Sequence, residues 1–382
     1  MSRLDFACSA ILCTLPIVLA ACATQTPPSP PPEPPASATP AVPPPPTPEP
    51  PPTSDQADLA TMRAAFVRDT AARFGIPAAR IEAALARASI REGIVAAMSR
   101  PAEAKPWHEY RPIFITQERI AAGRSFLAQH RDALARVETR YGVPAEIIVA
   151  IIGVETSYGG NIGSYPVVDA LYTLAFAYPR SGDPARAARE DQRELFFRDE
   201  LAQLFALAQE QHLDPATLKG SYAGAMGWGQ FMPSSYRQHA VDGNGDGRID
   251  LFGSLDDVFA SVANYFVERG RWQRGGPVMV RAQRLPGAAD YNAEDTDDPL
   301  LHQSALAARG YRPATPVPGV AFANVIRLDG AAGPEHWMIF HNFKAITEYN
   351  NSRLYATAVY QLAQAIAGSP VAHQPVSGQP PA

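Results

Sequence analysis

The sequence predicts a mainly α protein of the α+β class, a helical body carrying one small β-containing insertion. Three observations predict it. Residues 144–163 read PAEIIVAIIGVETSYGGNIG, and Ile147, Ile148, Val149, Ile151, Ile152 and Val154 leave almost no polar face. A helix apolar all round is a buried helix, so other elements must surround it. Amphipathic helical periods recur on both sides of this stretch. From residue 277 to 328 the texture changes to short β-branched runs separated by a polar segment rich in Asp and Pro.

Taken in order, the chain first reads as an export signal over residues 1–21, with Arg3 ahead of an apolar run. The run ends Leu19-Ala20-Ala21-Cys22, which resembles a bacterial lipoprotein signal in which Cys22 becomes the lipidated first residue. The alternative is an ordinary signal peptide with a chance cysteine. Ala23 and Thr24 follow Cys22 with no acidic residue, so the usual sorting pattern implies an outer-membrane lipoprotein facing the periplasm. Cys8, Cys13 and Cys22 are the only cysteines, so the folded part has no disulfide and no thiolate metal site. Residues 22–54 are dominated by proline and suit an extended tether. The catalytic region is placed at 55–367, and the Pro/Gly/Ser-rich end, 368–382, at a disordered tail.

Within the body, residues 58–74 suit an amphipathic helix, and a second helix follows Gly75-Ile76-Pro77 through Ile81 and Leu85. Residues 105–110, KPWHEY, read as a non-periodic aromatic loop. Thr116 suits the N-cap of one long helix to Tyr141. Gly142-Val143-Pro144 hands over to the apolar helix, whose end suits Gly159-Gly160. A helix from Val167 to about Tyr178 and a long one opened by Pro184 follow. Further helices are expected at 255–267 and 355–366. Strands are expected at 278–282, 320–325 and 336–340, within an insertion at about 277–341.

Glu155 stands near the C-terminal end of the apolar helix. Both the helix dipole and the apolar wall disfavour a carboxylate there. A carboxyl group kept neutral in this way is ready to donate a proton. The alternative is a structural Glu paired with an Arg or capping a loop. A segment at 221–236, SYAGAMGWGQFMPSSY, combines glycines, rings, Ser221 and Gln230, which together suit a sugar chain or a tight packing turn. Asp242, Asn244 and Asp246, with Gly247 sixth and the Arg248 carbonyl seventh, match the first half of a calcium loop. The twelfth position is Gly253, so a later acid, Asp256 or Asp257, must close a loop of 242–257. The ligands are hard oxygens, so calcium in a structural role is expected, with no organic cofactor. The 33 Lys and Arg against 38 Asp and Glu give a net charge of -5, with no footprint for nucleic acid.

These segments occur in one order: KPWHEYRPIF, GVETSYGGNIG, GSYAGAMGWGQFMPSSY, DGNGDGRIDLFGSLDDVFASVANYF and EYNNSRLYATAVYQLA. Together they resemble the membrane-bound lytic transglycosylase B family of peptidoglycan-cleaving enzymes. The resemblance spans about 58–367. It implies a lysozyme-like core within a helical domain, with the calcium loop in that core. It implies Glu155 as the single catalytic acid and base, and sugar-subsite roles for Tyr110, Ser221, Gln230, Tyr265, Tyr349, Asn350 and Tyr355. It implies Asp257 as the closing ligand beside Asp242, Asn244, Asp246 and Arg248. The partners implied are peptidoglycan glycan strands, cleaved between N-acetylmuramic acid and N-acetylglucosamine to leave a 1,6-anhydro end; a monomer is expected. Most glycosidases need two carboxylates, and folding could bring Asp169 or Glu109 to Glu155. The rival readings are a lysozyme-type muramidase and a non-catalytic peptidoglycan-binding lipoprotein.

Overall fold

The computed structural model describes residues 54–99, 105–293 and 298–368. The signal, Cys22, nearly all of the tether and all of the tail except Gly368 lie outside them. The first helices are α1 (Ser54–Phe74), α2 (Ala78–Leu85), α3 (Glu92–Met98), α4 (Trp107–Phe114), α5 (Gln117–Gln129), α6 (Arg131–Tyr141) and α7 (Ala145–Thr156). Strand β1 (Tyr165–Pro166) and helices α8 (Val167–Phe176) and α9 (Pro184–Glu210) follow, then β2 (Lys219–Gly220), α10 (Pro233–His239) and α11 (Leu255–Glu268). The insertion comprises β3 (Met279–Arg284), β4 (Leu301–His302), α12 (Gln303–Ala308), β5 (Tyr311–Pro313), β6 (Phe322–Gly330) and β7 (Gly333–Ile339). Helices α13 (His341–Thr347) and α14 (Arg353–Ile366) end the described chain.

The apolar stretch is α7, and its residues Ile147 to Gly153 are all buried. Helices α5, α6, α11 and α14 pack around it, which is why no polar stripe is needed on any side. Pro144 stands at the N-cap. The helix ends earlier than the glycines: Ser157 (φ 51°) and Tyr158 (φ 59°) turn the chain in the left-handed region. Non-glycine residues hold that conformation because side chains clamp it. Arg119 Nη2 donates to Ser157 Oγ at 3.0 Å, and Tyr158 Oη donates to the Arg119 carbonyl at 2.9 Å. Gly159, also left-handed at φ 82°, has Trp228 over it; a Cβ there would lie 2.3 Å from the indole.

Three expectations need correction. The aromatic loop at 105–110 is largely helix α4, started by Pro106 and carrying Pro112 near its end. The single helix from Thr116 to Tyr141 is two. Thr116 does cap α5, accepting from Arg119 N at 3.1 Å, but the chain breaks at His130, which lies against the Phe126 and Phe259 rings. The insertion is a five-stranded antiparallel sheet in the order β4-β6-β7-β3-β5 rather than three strands. Strand β6 runs on to Gly330 and turns tightly into β7, with Gly330 opposite Gly333. Its own small core holds Leu306, Tyr311, Ala323, Val325, Met338 and Phe340.

Candidate active site

Helix α7 delivers Glu155 half-buried, at the last turn of a helix whose other faces are closed. Thr156 beside it ties that turn to the 220s segment, donating to the Ile152 and Trp228 carbonyls at 3.1 Å each. Tyr355, in the first turn of α14, donates to Glu155 Oε1 at 2.5 Å. Burial raises the Glu155 carboxyl from the ordinary 4.5 to about 7, and the Tyr355 hydrogen bond pulls the other way. Desolvation, with the Glu155 charge nearby, in turn holds Tyr355 and Tyr349 well above the usual phenol value. The site therefore keeps the Tyr349 and Tyr355 protons at neutral pH, while the Glu155 carboxyl titrates close to it.

The tyrosines expected from the sequence gather around this acid. Tyr349 donates to the Gly229 carbonyl at 2.5 Å, and Tyr265 donates to the Glu348 carbonyl at 2.6 Å. Their rings meet edge to face with centroids 5.0 Å apart, and Phe231 packs on both. Tyr110, buried in α4, lies on Trp107 and Phe114 and close enough to Tyr355 to shift it electrostatically. Gln230 sits at φ 51° and spends its amide nitrogen on the Ile162 and Gly227 carbonyls, at 3.1 and 2.9 Å. That fastens the 220s loop to the segment after α7. Ser221 Oγ accepts from Ala225 N at 3.1 Å within the same loop. Asn350 is exposed, and its carbonyl accepts from Ser352 N at 2.7 Å, bending the chain into α14. Trp228 lies against Gly159 and Phe126 and donates to the Phe252 carbonyl at 3.0 Å, so its indole serves packing.

Neither of the two acids weighed as a second carboxylate meets Glu155. Asp169 is buried in the first turn of α8 against Arg91, with Nη2 at 2.5 Å, and also accepts from Ser89 N at 3.1 Å. Glu109 is exposed beside His108. Nor does any carboxylate contribute to the Glu155 shift. The sequence reasoning missed Thr156, Tyr158 and Arg119 as the groups that position the acid. The left-handed pair after Glu155 is their signal, but nothing in the letters of Ser157 and Tyr158 betrays that conformation.

The acidic loop lies between α10 and α11. Asp242 accepts from Gly245 N and Gly247 N at 2.6 and 2.7 Å, and the backbone amides hold its carboxyl below the usual carboxylate range, Gly247 most strongly. Asp246 Oδ1 accepts from Arg248 N at 2.9 Å, and Asn244 Nδ2 donates to Asp246 Oδ2 at 2.9 Å. Asp257 is buried and turned into the loop, with Oδ1 on Gly243 N and Oδ2 on Asp250 N, both at 2.8 Å. Asp256 points away to Arg136 at 3.1 Å. Gly243 lets the loop touch the start of α11; a Cβ there would lie 2.2 Å from the Asp256 carbonyl. Three carboxylates, an amide and a carbonyl suit a hard cation in their chemistry. Among the described residues, though, no three or more His, Cys, Asp or Glu side chains are drawn into one metal-holding group.

The chain matches the family described as the transglycosylase SLT domain over residues 58–364. It is 44% identical over 262 residues to the membrane-bound lytic murein transglycosylase B of Escherichia coli strain K12, covering 68% of this chain and 67% of that one. Among solved structures, the catenated lytic transglycosylase SltB1 of Pseudomonas aeruginosa is 44% identical with a TM-score of 0.72, over 80% of this chain and 97% of that one. The E. coli lytic transglycosylase Slt35 in complex with calcium is 38% identical with a TM-score of 0.70, over 80% and 92%.

Proposed function

Since the chain belongs to the transglycosylase SLT domain family, and is thereby a lytic murein transglycosylase of lysozyme-like fold, we propose that Glu155 alone supplies both proton transfers of its reaction. The enzyme is a lyase acting on peptidoglycan. The observation that carries the one-acid reading is the company Glu155 keeps: Tyr355 on one oxygen, and no carboxylate among the described residues.

With Oε1 accepting from Tyr355, the neutral carboxyl presents its O–H to the glycosidic oxygen between N-acetylmuramic acid and N-acetylglucosamine. Proton transfer breaks the C1–O bond and leaves an oxocarbenium-like centre. The substrate's own acetamido group stands in for the absent second carboxylate and stabilises that centre. Glu155, now ionised and held by Tyr355, takes the proton of the muramoyl C6 hydroxyl as its oxygen attacks C1. The 1,6-anhydro sugar forms, no water is consumed, and Glu155 ends protonated as it began. Tyr110, Tyr265, Tyr349, Ser221, Gln230 and Asn350 bind the strand on either side. The test weighs the muropeptides released from purified peptidoglycan. Products lighter by one water than those of a hydrolase are expected; hydrated reducing ends would move the enzyme to the muramidase reading.

Calcium at Asp242, Asn244, Asp246, the Arg248 carbonyl and Asp257 would hold α11 against the 220s loop, a structural role. The oxygen donor set and the calcium complex of the similar Slt35 support it. The enzyme is further read as an outer-membrane lipoprotein, anchored at Cys22 and facing the periplasm. The Leu19-Ala20-Ala21-Cys22 sequence and the membrane-bound relative support this reading. Among the described residues no helix is long and apolar enough to cross a membrane, so the acyl chains would carry the attachment. Cys22→Ser should move the enzyme to the soluble periplasmic fraction or block its processing. Unchanged membrane fractionation would remove the anchor.

A further inference from the structure

The chain leaves Glu155 through a turn that resists forming. Ser157, Tyr158 and Gly159 follow one another in the left-handed region, at φ 51°, 59° and 82°. Two of the three carry side chains that disfavour this region, so the turn stands only where its surroundings hold it. Arg119 and the Tyr158 hydroxyl hold one side. Trp228, from a separate part of the chain, holds the other.

The Trp228 carbonyl accepts from Thr156 Oγ1 at 3.1 Å, and the same hydroxyl accepts from Gly159 N at 3.1 Å. The benzo end of the indole covers Gly159 so closely that a Cβ there would overlap Cη2, Cζ3 and Cζ2. The opposite end is anchored on the segment before α11. Nε1 donates to the Phe252 carbonyl at 3.0 Å, and Trp228 N donates to the Leu251 carbonyl at 3.1 Å. An aliphatic side chain would fill the space over Gly159. A rigid bicyclic ring with a donor at its far end also spans from one segment to the other.

We infer that Trp228 is a positioning residue for the reaction: by pinning the left-handed turn against the Phe252 segment, it fixes where the Glu155 carboxyl stands. Trp228 acts through Thr156 and Gly159 and is not itself a catalytic residue. The inference rests on Glu155 being the acid, as proposed above. The strand-binding loop does not depend on the indole in the same way. Met226 and Phe231 exchange both backbone hydrogen bonds at 2.9 Å, and Gln230 Nε2 holds the Ile162 and Gly227 carbonyls. Loosening the turn should therefore cost alignment of the acid rather than binding of the strand.

The experiment measures kcat and KM separately on purified glycan strands, well below each melting temperature so that all the enzyme is folded. Trp228→Ala should lower kcat about 10- to 100-fold, the scale of a displaced catalytic group, with KM within about twofold of wild type. Trp228→Phe keeps a ring over Gly159 and loses the Phe252 anchor, so its kcat should stay within about tenfold of wild type. The alkaline limb of kcat/KM supplies a reading that lost packing alone would not move. A loosened turn admits water to Glu155, so its carboxyl should fall from about 7 toward the ordinary 4.5 and the limb should move to lower pH. Tyr349 and Tyr355, which sense the Glu155 charge, stay protonated across that range, so the limb belongs to Glu155. Gly159→Ala drives a Cβ into the indole and should act in the same direction. Its cost should shrink in the Trp228→Ala background, where the overlap is gone. A loss carried in KM, an unmoved limb, or fully additive losses in the double variant would each overturn the inference. If Trp228→Ala does not fold, the limbs of Trp228→Phe and Gly159→Ala decide it. Glu155→Gln keeps the two readings apart. Near-normal turnover by that variant removes the acid, whereas an inactive Glu155→Gln beside an unmoved Trp228 limb removes only the strut.

Discussion

Glu155 and Asp242 are the same functional group placed in opposite surroundings. Glu155 ends a helix with its apolar neighbours closed around it, and among the described residues one phenol is the only hydrogen-bond partner of its carboxyl. Desolvation raises its pKa to about 7. Asp242 lies half-buried in a glycine-rich loop and accepts from two backbone amides, which lower its pKa. The first environment makes an acid that can be exchanged between two states at neutral pH; the second makes a permanent anion. Dominant desolvation with a single donor suits proton transfer, and dominant backbone donors suit holding a cation. Reading the two acids by their neighbours assigns chemistry to one and structure to the other.

The largest expected effect tests the first half of that contrast. Glu155→Gln keeps the shape and can still accept from Tyr355, yet it cannot transfer a proton. General acid–base catalysis is typically worth about 10²–10⁴-fold, and here the group acts twice. Turnover of purified peptidoglycan should fall by at least the upper part of that range, with strand binding retained. The same variant reports on stability. A carboxyl whose pKa is raised on folding costs nothing below its unfolded value of 4.5; the cost grows as pH rises and is complete above about 7. Glu155→Gln should therefore match wild type near pH 4 and exceed it by about 1–3 kcal/mol above pH 7. Equal urea midpoints across that window would mean the acid is not desolvated.

The second half of the contrast predicts a smaller effect and one seen only in stability. If the loop holds calcium in the folded state alone, a calcium concentration a hundred times Kd should stabilise by about 2.7 kcal/mol. Asp257→Asn should reduce that gain, because Asp257 faces the loop. Asp256→Asn should not, because Asp256 is turned to Arg136. Melting curves with calcium and with chelator decide it, and a wild-type curve indifferent to calcium would leave only a hydrogen-bonded turn.

How far these sites could be read in the letters follows the same physics. Helix α7 was legible because six β-branched residues in one short stretch admit no exposed face. The acidic loop was legible because oxygen ligands and glycines recur at fixed spacing. Helix α4 was not, since Pro106, Pro112 and three aromatic residues imitate a loop, and only packing on Tyr355 and α14 makes them a helix. The break at His130 was invisible because neither Gly nor Pro marks it; aromatic contacts made after folding decide it. Strands β4 and β5, two and three residues long, are too short for any period to appear. Within the site, the letters pointed to Glu155, while the tyrosines came only from the family resemblance. The clamp of Arg119, Ser157 and Tyr158 that aims the acid is long-range and leaves no local mark.

The smallest predicted effect sharpens the comparison most, because it alters one donor and nothing else. Tyr355→Phe removes the single hydrogen bond that lowers the Glu155 pKa while keeping the ring against α7. The Glu155 environment then moves further from that of Asp242. Its pKa should rise, so the alkaline limb of kcat/KM should shift to higher pH, by up to about one unit for a lost charge-assisted hydrogen bond. The rate on the plateau should fall about tenfold, since the carboxylate formed after the first transfer loses its donor and the carboxyl its fixed rotamer. The two signs oppose each other: a merely damaged site would lose rate with the limb unmoved. A limb displaced to lower pH would mean that Tyr355 stabilises the protonated acid rather than the carboxylate, and the proposed role of Tyr355 in the second step would fall.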